Sequence, residues 1–244
     1  VYVDTGPMLD RAVAQRAGIG WYGKSTNILT ASHGSWVVLG QIVTDLELDP
    51  DAPLKKTCGA CTLCMESCPT GAIVAPYVVD NARCISYLTI ECRGPIPRHL
   101  RPLLGDWVFG CDICQAVCPV NQKAQTTREA AFHVPERGSS VPDLLRLLSM
   151  TDEEFKETFR SNPIRRAKRV GLLRNACVAL GNLGDAGAVP ALMEALDGHE
   201  PLVRSHAAWA LGRIGGQKST DALEEALVRE ANEEVREEIA LALG

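Results

Sequence analysis

The chain has 244 residues, of which 46% are hydrophobic and 23% charged, as in an ordinary globular protein. Its formal net charge of −5 excludes a general attraction to nucleic acid, so a polyanionic partner would need a local basic patch. No apolar run reaches the roughly 18 residues of a membrane span, and no signal peptide is recognisable, so we expect a cytoplasmic protein without a membrane partner. Ten cysteines without a secretory signal favour metal binding over disulfides.

Composition divides the chain into four parts. They are residues 1–57, 58–122, 123–170 and 171–244. The first part predicts a helix over 8–17 and a strand over 36–43. The second is rich in loops and holds nine of the ten cysteines, the third is polar and partly basic, and the fourth is rich in Ala and Leu and predicts helices throughout. Because the chain starts within what reads as folded sequence, we expect it to be a piece of a longer protein.

The first part contains two candidate functional features. Asp4 precedes a Gly-Pro turn, a position at which aspartate is usually a turn former. Residues 17–24, Ala-Gly-Ile-Gly-Trp-Tyr-Gly-Lys, form a glycine-rich loop that could approach a flat cofactor closely, since glycine has no side chain. The spacing matches neither the dinucleotide fingerprint nor the phosphate-binding P-loop.

The strongest motif is CGACTLCMESCP over 58–69, with the spacing C-x2-C-x2-C-x3-C-P. In such a motif the first three cysteines hold one [4Fe–4S] cluster, and the fourth, followed by proline, ligates a second cluster. A second copy over 111–119, C-x2-C-x3-C-P, lacks the leading cysteine. Since two clusters need eight thiolates, one further ligand must come from elsewhere.

Crossed sharing of the two motifs predicts two ligand sets. The first set is Cys58, Cys61, Cys64 and Cys118, and the second is Cys68, Cys111 and Cys114 with either Cys84 or Cys92. We favour Cys84, because the preceding Asp-Asn-Ala-Arg resembles the approach to a ferredoxin ligand. Zinc is the alternative, but zinc sites normally use two C-x2-C pairs per ion and do not favour Cys-Pro endings. Cys177 is expected to be a buried small hydrophobe.

The fourth part repeats itself. Ala-Leu-Gly recurs at 179–181, 210–212 and 242–244, and the segments 188–196 and 219–227 also match each other. Paired helices with a period of about 32 residues are typical of an α-solenoid, and these units resemble the short HEAT repeat. Such repeats serve either to recognise a large partner or to extend a scaffold. Trp209 lies on a repeat helix and is expected to be core.

The whole pattern resembles epoxyqueuosine reductase, an iron–sulfur and cobalamin enzyme of tRNA modification related to the reductive dehalogenases. The resemblance rests on V-D-T-G-P, A-G-I-G-W-Y-G-K, the eight-cysteine arrangement and the repeats. It implies an α+β fold with the remainder of an α/β corrinoid-binding domain (1–57), a bacterial ferredoxin-like two-cluster module (58–122), a connecting segment (123–170) and a C-terminal α-solenoid of HEAT-like repeats (171–244). Family members carry a further N-terminal region, which supplies much of the corrinoid-binding domain.

The resemblance also implies an oxidoreductase activity, the reduction of epoxyqueuosine to queuosine at the tRNA wobble position. Cob(I)alamin, fed by the two [4Fe–4S] clusters, would supply the electrons, and Asp4 would be the catalytic proton donor. The implied cobalamin contacts are Asp4, Ile28, Leu39, Ser86, Gly110, Cys111 and Asp112. The implied partners are the tRNA anticodon loop and an electron donor such as flavodoxin or ferredoxin.

With tRNA as substrate, basic segments become candidate phosphate contacts, although a run of charge is usually a solvated face. The candidates are Arg93, Arg98, Arg165, Arg166, Lys168 and Arg169. Two other functions remain open. One is a reductive dehalogenase-like corrinoid enzyme acting on a small molecule, which would need neither repeats nor a basic run. The other is a ferredoxin-type electron carrier joined to an interaction scaffold.

Overall fold

The computed structural model describes residues 8–133, 142–198 and 200–244, so Asp4 lies outside the described residues. The chain divides into two compact units. The first is built from the chain up to Asp80 together with Asp112–His133, and the second from Asn81–Cys111 together with the chain that follows His133. Because these ranges interleave, the cysteine-rich part contributes residues to both units.

The described residues are mostly helical, with four very short strands among them. In chain order the elements are α1 (Asp10–Arg16), β1 (Trp21–Tyr22), β2 (Ile28–Leu29), α2 (Leu63–Glu66), β3 (Ile73–Ala75), β4 (Val78–Val79), α3 (Ile85–Ile90), α4 (Ile113–Ala116), α5 (Leu144–Leu148), α6 (Asp152–Thr158), α7 (Lys168–Leu183), α8 (Val189–Leu196), α9 (Pro201–Ile214), α10 (Gln217–Arg229) and α11 (Glu233–Leu243). Strand β1 pairs antiparallel with β2, and β3 with β4. The mixed, helix-dominated class and the first predicted helix are confirmed.

The glycine-rich loop packs tightly against the backbone of its own unit. A Cβ atom added at Gly18, whose φ is +69°, would lie 2.5 Å from the carbonyl oxygen of Ala52. A Cβ atom at Gly20 would lie 2.5 Å from the carbonyl oxygen of Leu29. No side chain fits at these distances, so both glycines are required by the fold itself.

The strand predicted over 36–43 is wrong, since the structure has no strand there. Val38, Ile42 and Val43 are 84%, 93% and 87% exposed, although their pattern is that of a buried strand. A strand needs a neighbouring strand for its backbone hydrogen bonds, and among the described residues none is paired with this segment. The apolar pattern gave no information on that partner.

The repeats form paired helices, as predicted. Helices α7 and α8 make one pair, α9 and α10 make the next, and α11 starts a third. Asn232 is the N-cap of helix α11, and its side-chain oxygen accepts the N–H of Val235 at 3.1 Å. Each long first helix carries an Ala-Leu-Gly motif at or near its C-terminal end.

The recurring motif is a helix-packing device. A Cβ atom added at Gly181 in α7 would lie 2.9 Å from Cα of Ala210 in α9. A Cβ atom at Gly212 in α9 would lie 2.7 Å from the carbonyl oxygen of Ala242 in α11. The glycine of one repeat therefore receives the alanine of the next, and successive long helices approach each other closely.

Replacing Gly212 by alanine is expected to lower the free energy of unfolding by about 1–3 kcal/mol, because the new methyl group meets the backbone of Ala242 and the helices must separate. Thermal or denaturant unfolding of the purified protein measures this loss. Gly171→Ala is the matched control, since the nearest atom to its Cβ position is Arg174 Nη2 at 4.0 Å. That change should be neutral or stabilising by up to about 1 kcal/mol. Equal losses in the two variants would contradict the packing role.

The apolar core of the repeats contains the residues expected there. Trp209 is 3% exposed, and the guanidinium groups of Arg101 and Arg213 lie 5.7 Å and 5.9 Å from its ring centroid. Cys177 is fully buried, and burial raises the pKa of its thiol to about 12. Both are core residues, as predicted. No helix within the described ranges has the length and apolar character required to cross a membrane.

Candidate metal centre

Two short, similar segments present most of the cysteines of the first unit. In one, α2 carries Cys64. A turn precedes this helix, and in it the N–H of Cys61 donates to the carbonyl oxygen of Cys58 at 3.2 Å. In the other, α4 carries Cys114, and Cys118 follows after the helix, with its N–H donating to the carbonyl oxygen of Gln115 at 3.1 Å.

The two segments meet at one concavity in the first unit. Cysteines from both segments line it: Cys58, Cys61, Cys64, Cys114 and Cys118. Burial raises the pKa of the Cys64 thiol, and the neighbouring Cys58, Cys118 and Cys61 raise it further. The first predicted ligand set is therefore brought together, including Cys118 from the second motif.

Two thiols of the first unit, those of Cys68 and Cys114, accept hydrogen bonds. Cys68 Sγ accepts the N–H of Ala72 at 3.3 Å and lies 3.6 Å from Thr70 Oγ1. Burial alone would raise the pKa of Cys68, but hydrogen bonds from Thr70 and the neighbouring backbone outweigh it, so the pKa is lowered. Cys114 Sγ accepts from Asn27 Nδ2 at 3.9 Å. Such contacts stabilise the thiolate form that ligates iron.

The donor set fits iron–sulfur clusters better than a single ion. Five cysteines line the concavity, and four of them, the first predicted ligand set, suit a four-iron cube, which offers one iron to each thiolate. Among the residues that the structure describes, no three His, Cys, Asp or Glu side chains converge on one point as a single metal ion requires. The zinc alternative thus gains no support from the arrangement.

A cation also belongs to this concavity. Lys24 lines it, and its Nζ donates to the carbonyl oxygen of Gly59, at 2.9 Å, between Cys58 and Cys61. A positive charge beside thiolates offsets their repulsion and that of an anionic cluster. Sequence reasoning placed Lys24 only in a glycine-rich loop. A lysine distant in sequence from the cysteines gives no signal of this contact.

The second predicted ligand set draws on both units. Cys68 and Cys114 belong to the first unit, and Cys84 and Cys111 to the second. Cys84 is half-buried and directly precedes α3. Cys92 packs against the core of the second unit, and its Sγ donates to the carbonyl oxygen of Gly94 at 3.6 Å. Cys92 thus has a structural role within that unit.

The implied cobalamin contacts also divide between the units. In the first unit Ile28 is buried in β2, Leu39 is half-buried, and Asp112 is exposed, with Oδ1 accepting from Gln115 Nε2 at 2.8 Å. In the second unit lie the other three, Ser86, Gly110 and Cys111, all half-buried.

Several candidate phosphate contacts are paired with carboxylates. Arg166 lies 2.5 Å from Glu91, which is also 3.8 Å from Arg93. Arg98 pairs with Glu238. Arg169 bridges two acidic residues, Asp152 at 2.8 Å and Glu200 at 2.6 Å. Arg165 and Lys168 are exposed.

Family comparisons agree with this arrangement. Residues 57–121 match the 4Fe-4S double cluster binding domain, and residues 165–244 match the HEAT repeats. The fold and the thiol arrangement thus define a double-cluster iron–sulfur protein with helical repeats.

Individual relatives are more specific. Over 212 residues the chain is 45% identical to the epoxyqueuosine reductase of Salmonella typhimurium, covering 87% of this chain and 55% of that protein. It is 40% identical over 243 residues to that of Bacillus subtilis, covering 97% and 61%. The chain is a relative of the epoxyqueuosine reductases, which confirms the resemblance predicted from its motifs. It spans between about half and three-fifths of the length of these relatives.

Solved structures show the same relationship. A selenomethionine-labelled epoxyqueuosine reductase superimposes with a TM-score of 0.93 at 39% identity, covering 99% of this chain and 64% of the other. An epoxyqueuosine reductase with an epoxyqueuosine-modified tRNA-Tyr stem loop gives a TM-score of 0.90 at 38% identity, with the same coverage. The fold of the described chain is therefore that of the corresponding part of these enzymes.

Proposed function

We propose that this chain carries the electron-transfer and repeat portion of an epoxyqueuosine reductase, which reduces epoxyqueuosine to queuosine in tRNA. The observation that carries the proposal is the meeting of Cys58, Cys61 and Cys64 with Cys118 at one concavity, in a chain so similar to these enzymes. Binding of an epoxyqueuosine-modified stem loop by a structural relative supports the choice of substrate.

The electron path would use two clusters in a ferredoxin-like module. Cys58, Cys61, Cys64 and Cys118 hold the first, and Cys68, Cys84, Cys111 and Cys114 hold the second. Electrons would enter at the first cluster, because Cys61 is exposed. A small flavodoxin or ferredoxin is the proposed donor, since each carries single electrons to such clusters. The rival small carrier would not require the similarity that extends over the repeats.

Cobalamin is the proposed reactive cofactor, and its cobalt would supply the two-electron chemistry. Two features of the chain suit it. A Cβ atom at Gly110, whose φ is +75°, would meet only Ile90 Cδ1 at 3.9 Å, so this backbone is open to a close neighbour. Around Leu39, the exposed side chains of Val38 and Ile42 offer apolar surface. Ile28, Ser86, Cys111 and Asp112 are the other proposed contacts in the described residues.

The reaction removes the epoxide oxygen as water. Two electrons and two protons convert the epoxide to an alkene, so an acid must protonate the leaving oxygen. Asp4 is the proposed donor, because it occupies the motif expected of the family acid. The Bacillus subtilis enzyme has been solved with an aspartate-containing catalytic loop swung out of its active site.

A direct assay tests this function. The full-length protein is incubated anaerobically with cobalamin, a reductant and tRNA containing epoxyqueuosine, and the nucleosides are then analysed. Queuosine should form at the expense of epoxyqueuosine. Reduction of a small organohalide with no turnover of the tRNA would instead favour the dehalogenase-like alternative.

The proposed tRNA track runs through the basic segment that contains Arg165, Arg166, Lys168 and Arg169, together with Arg93 and Arg98 from the segment between the two cysteine motifs. Of these, Arg93, Arg165, Arg166 and Lys168 are exposed, but Arg93 and Arg166 pair with Glu91. Arg165 and Lys168 are the exposed pair without an ion pair among the described residues, which suits contacts with phosphate. The ion pairs of Arg98, Arg166 and Arg169 hold those side chains within the fold. Arg165 and Lys168 are therefore the better residues to mutate in a test of tRNA binding.

Arg165→Glu is expected to weaken tRNA binding and to lower the slope of log affinity against log salt by about 0.7–0.9 for each lost phosphate contact. Binding is measured at several salt concentrations, with iron content as a check on folding. Lys218→Glu makes a similar charge change at an exposed site in α10 and serves as the control. If both variants bind tRNA alike, the phosphate track lies elsewhere.

A further inference from the structure

Two adjacent polar side chains are fully buried in the first repeat helix. Arg174 and Asn175, both in α7, have relative exposures of 0%. Burial lowers the pKa of Arg174, which shows how unfavourable this environment is for a cation. The paired helices of a solenoid need an apolar face there, so packing of the repeats does not explain these two residues.

The contacts of Arg174 lead away from the repeats. Its guanidinium donates to the carbonyl oxygens of Leu88 at 2.6 Å, Cys92 at 2.9 Å and Gly94 at 2.7 Å, and to Asn175 Oδ1 at 2.8 Å. The side chain of Cys92 also interacts with this guanidinium. Arg174 thus fixes the end of α3 and the turn that follows it.

Asn175 extends the same network to a second segment. Its Nδ2 donates to the carbonyl oxygens of Thr89 and Val108, each at 2.8 Å. Thr89 Oγ1 accepts the N–H of Gly110 at 2.9 Å and donates to the carbonyl oxygen of Ile85 at 2.8 Å. One continuous chain of hydrogen bonds therefore joins α7, both ends of α3 and the segment 108–110.

Both segments lead directly to proposed cluster ligands. Cys84 directly precedes α3, and Cys111 directly follows Gly110. We propose that Arg174 and Asn175 are positioning residues for the second cluster, which hold the Cys84 and Cys111 segments of this unit in place. Partners that orient ligands tune both the affinity for a metal group and its redox potential. The inference rests on the ligand assignment of the proposed function.

The same helix provides a matched control. Asn182 donates its Nδ2 to the carbonyl oxygens of Arg101 and Gly105, each at 2.8 Å. This pair of contacts resembles that of Asn175 in number and length, but it holds a segment without proposed ligands. Asn175 is fully buried and Asn182 only half-buried, so Asn175→Ala should lose more stability, and the cluster measurements rather than stability separate the two roles.

The test uses the full-length protein reconstituted with iron and sulfide without air. Iron content and the midpoint potential of each cluster, followed by electron paramagnetic resonance, are measured for wild type, Asn175→Ala and Asn182→Ala. We expect Asn175→Ala to shift the potential of one cluster, or to lose up to about half of the iron, while the other cluster is unchanged. Asn182→Ala should match the wild type in both measurements.

Thr89→Val is a milder second variant, because valine has nearly the same side-chain shape as threonine. It removes the hydroxyl that accepts the N–H of Gly110. It should shift the same cluster in the same direction. If both variants match Asn182→Ala, the network serves folding alone and the proposal is overturned. If the wild-type protein binds a single cluster, the ligand assignment itself is wrong. The iron content of the wild type separates that outcome from a failure of the positioning role alone.

Discussion

Replacing Cys118 by alanine should abolish the proposed first cluster, although three of its four proposed ligands lie in the other motif. The structure places Cys118 close enough to Cys64 to affect its pKa, in the same concavity as Cys58 and Cys61. With one thiolate missing, the remaining three leave one iron of the cube without a protein ligand. We expect iron to fall from about eight to about four atoms per chain, because each cluster contains four.

Iron and sulfide analysis after anaerobic reconstitution measures this loss, and electron paramagnetic resonance identifies the cluster that remains. Cys92→Ala is the matched control, because Cys92 is also half-buried but packs against the core of the second unit. That variant should retain about eight iron atoms. Survival of the first cluster in Cys118→Ala would show that the two motifs do not share their ligands.

Asp4→Asn is expected to reduce turnover by about 10²–10⁴-fold, the usual contribution of a general acid. A free aspartate has a pKa of about 3.9, so the proposed role requires an environment that disfavours its charged form. Asparagine keeps the size of the side chain but cannot deliver the proton. Single-turnover conversion of epoxyqueuosine, measured in the full-length protein, gives the size of the effect.

The control for this variant is the integrity of its cofactors. Iron content and cobalamin absorbance should equal those of the wild type, so that lost turnover reflects a missing acid alone. The rate of the wild type should also fall as pH rises above the pKa of the acid, because the carboxylate has no proton to give. Turnover near the wild-type level in Asp4→Asn would remove this residue from the mechanism.

Sequence spacing predicted the thiol site because cysteines at fixed intervals in a tight loop face a common point. The link from Cys64 to Cys118 followed from the Cys-Pro ending, which turns the fourth ligand away from its own loop. The repeats were also predictable from the sequence, because Ala-Leu-Gly recurs at each position where successive long helices pack together. In these features a local pattern determines the contact.

Other features depend on partners that a local pattern does not name. The segment 36–43 has the composition of a strand, yet no strand forms there. Lys24 reaches the carbonyl oxygen of Gly59, and Arg174 reaches those of Leu88 and Gly94, across long separations in sequence. An Arg-Asn pair on a repeat helix was the available signal for the second network. That pair does not indicate which backbone carbonyl oxygens accept its hydrogen bonds.

The chain leaves the first unit at Asn81 and returns to it at Asp112. During synthesis, the loop with Cys58, Cys61 and Cys64 therefore emerges from the ribosome well before Cys118. On the proposed ligand assignment, the nascent loop offers only an incomplete thiol set until that return, and such thiols can be oxidised or can capture a foreign metal. Cellular machinery that loads iron should accordingly act after translation has passed the second motif, and a product that terminates early would remain without its first cluster.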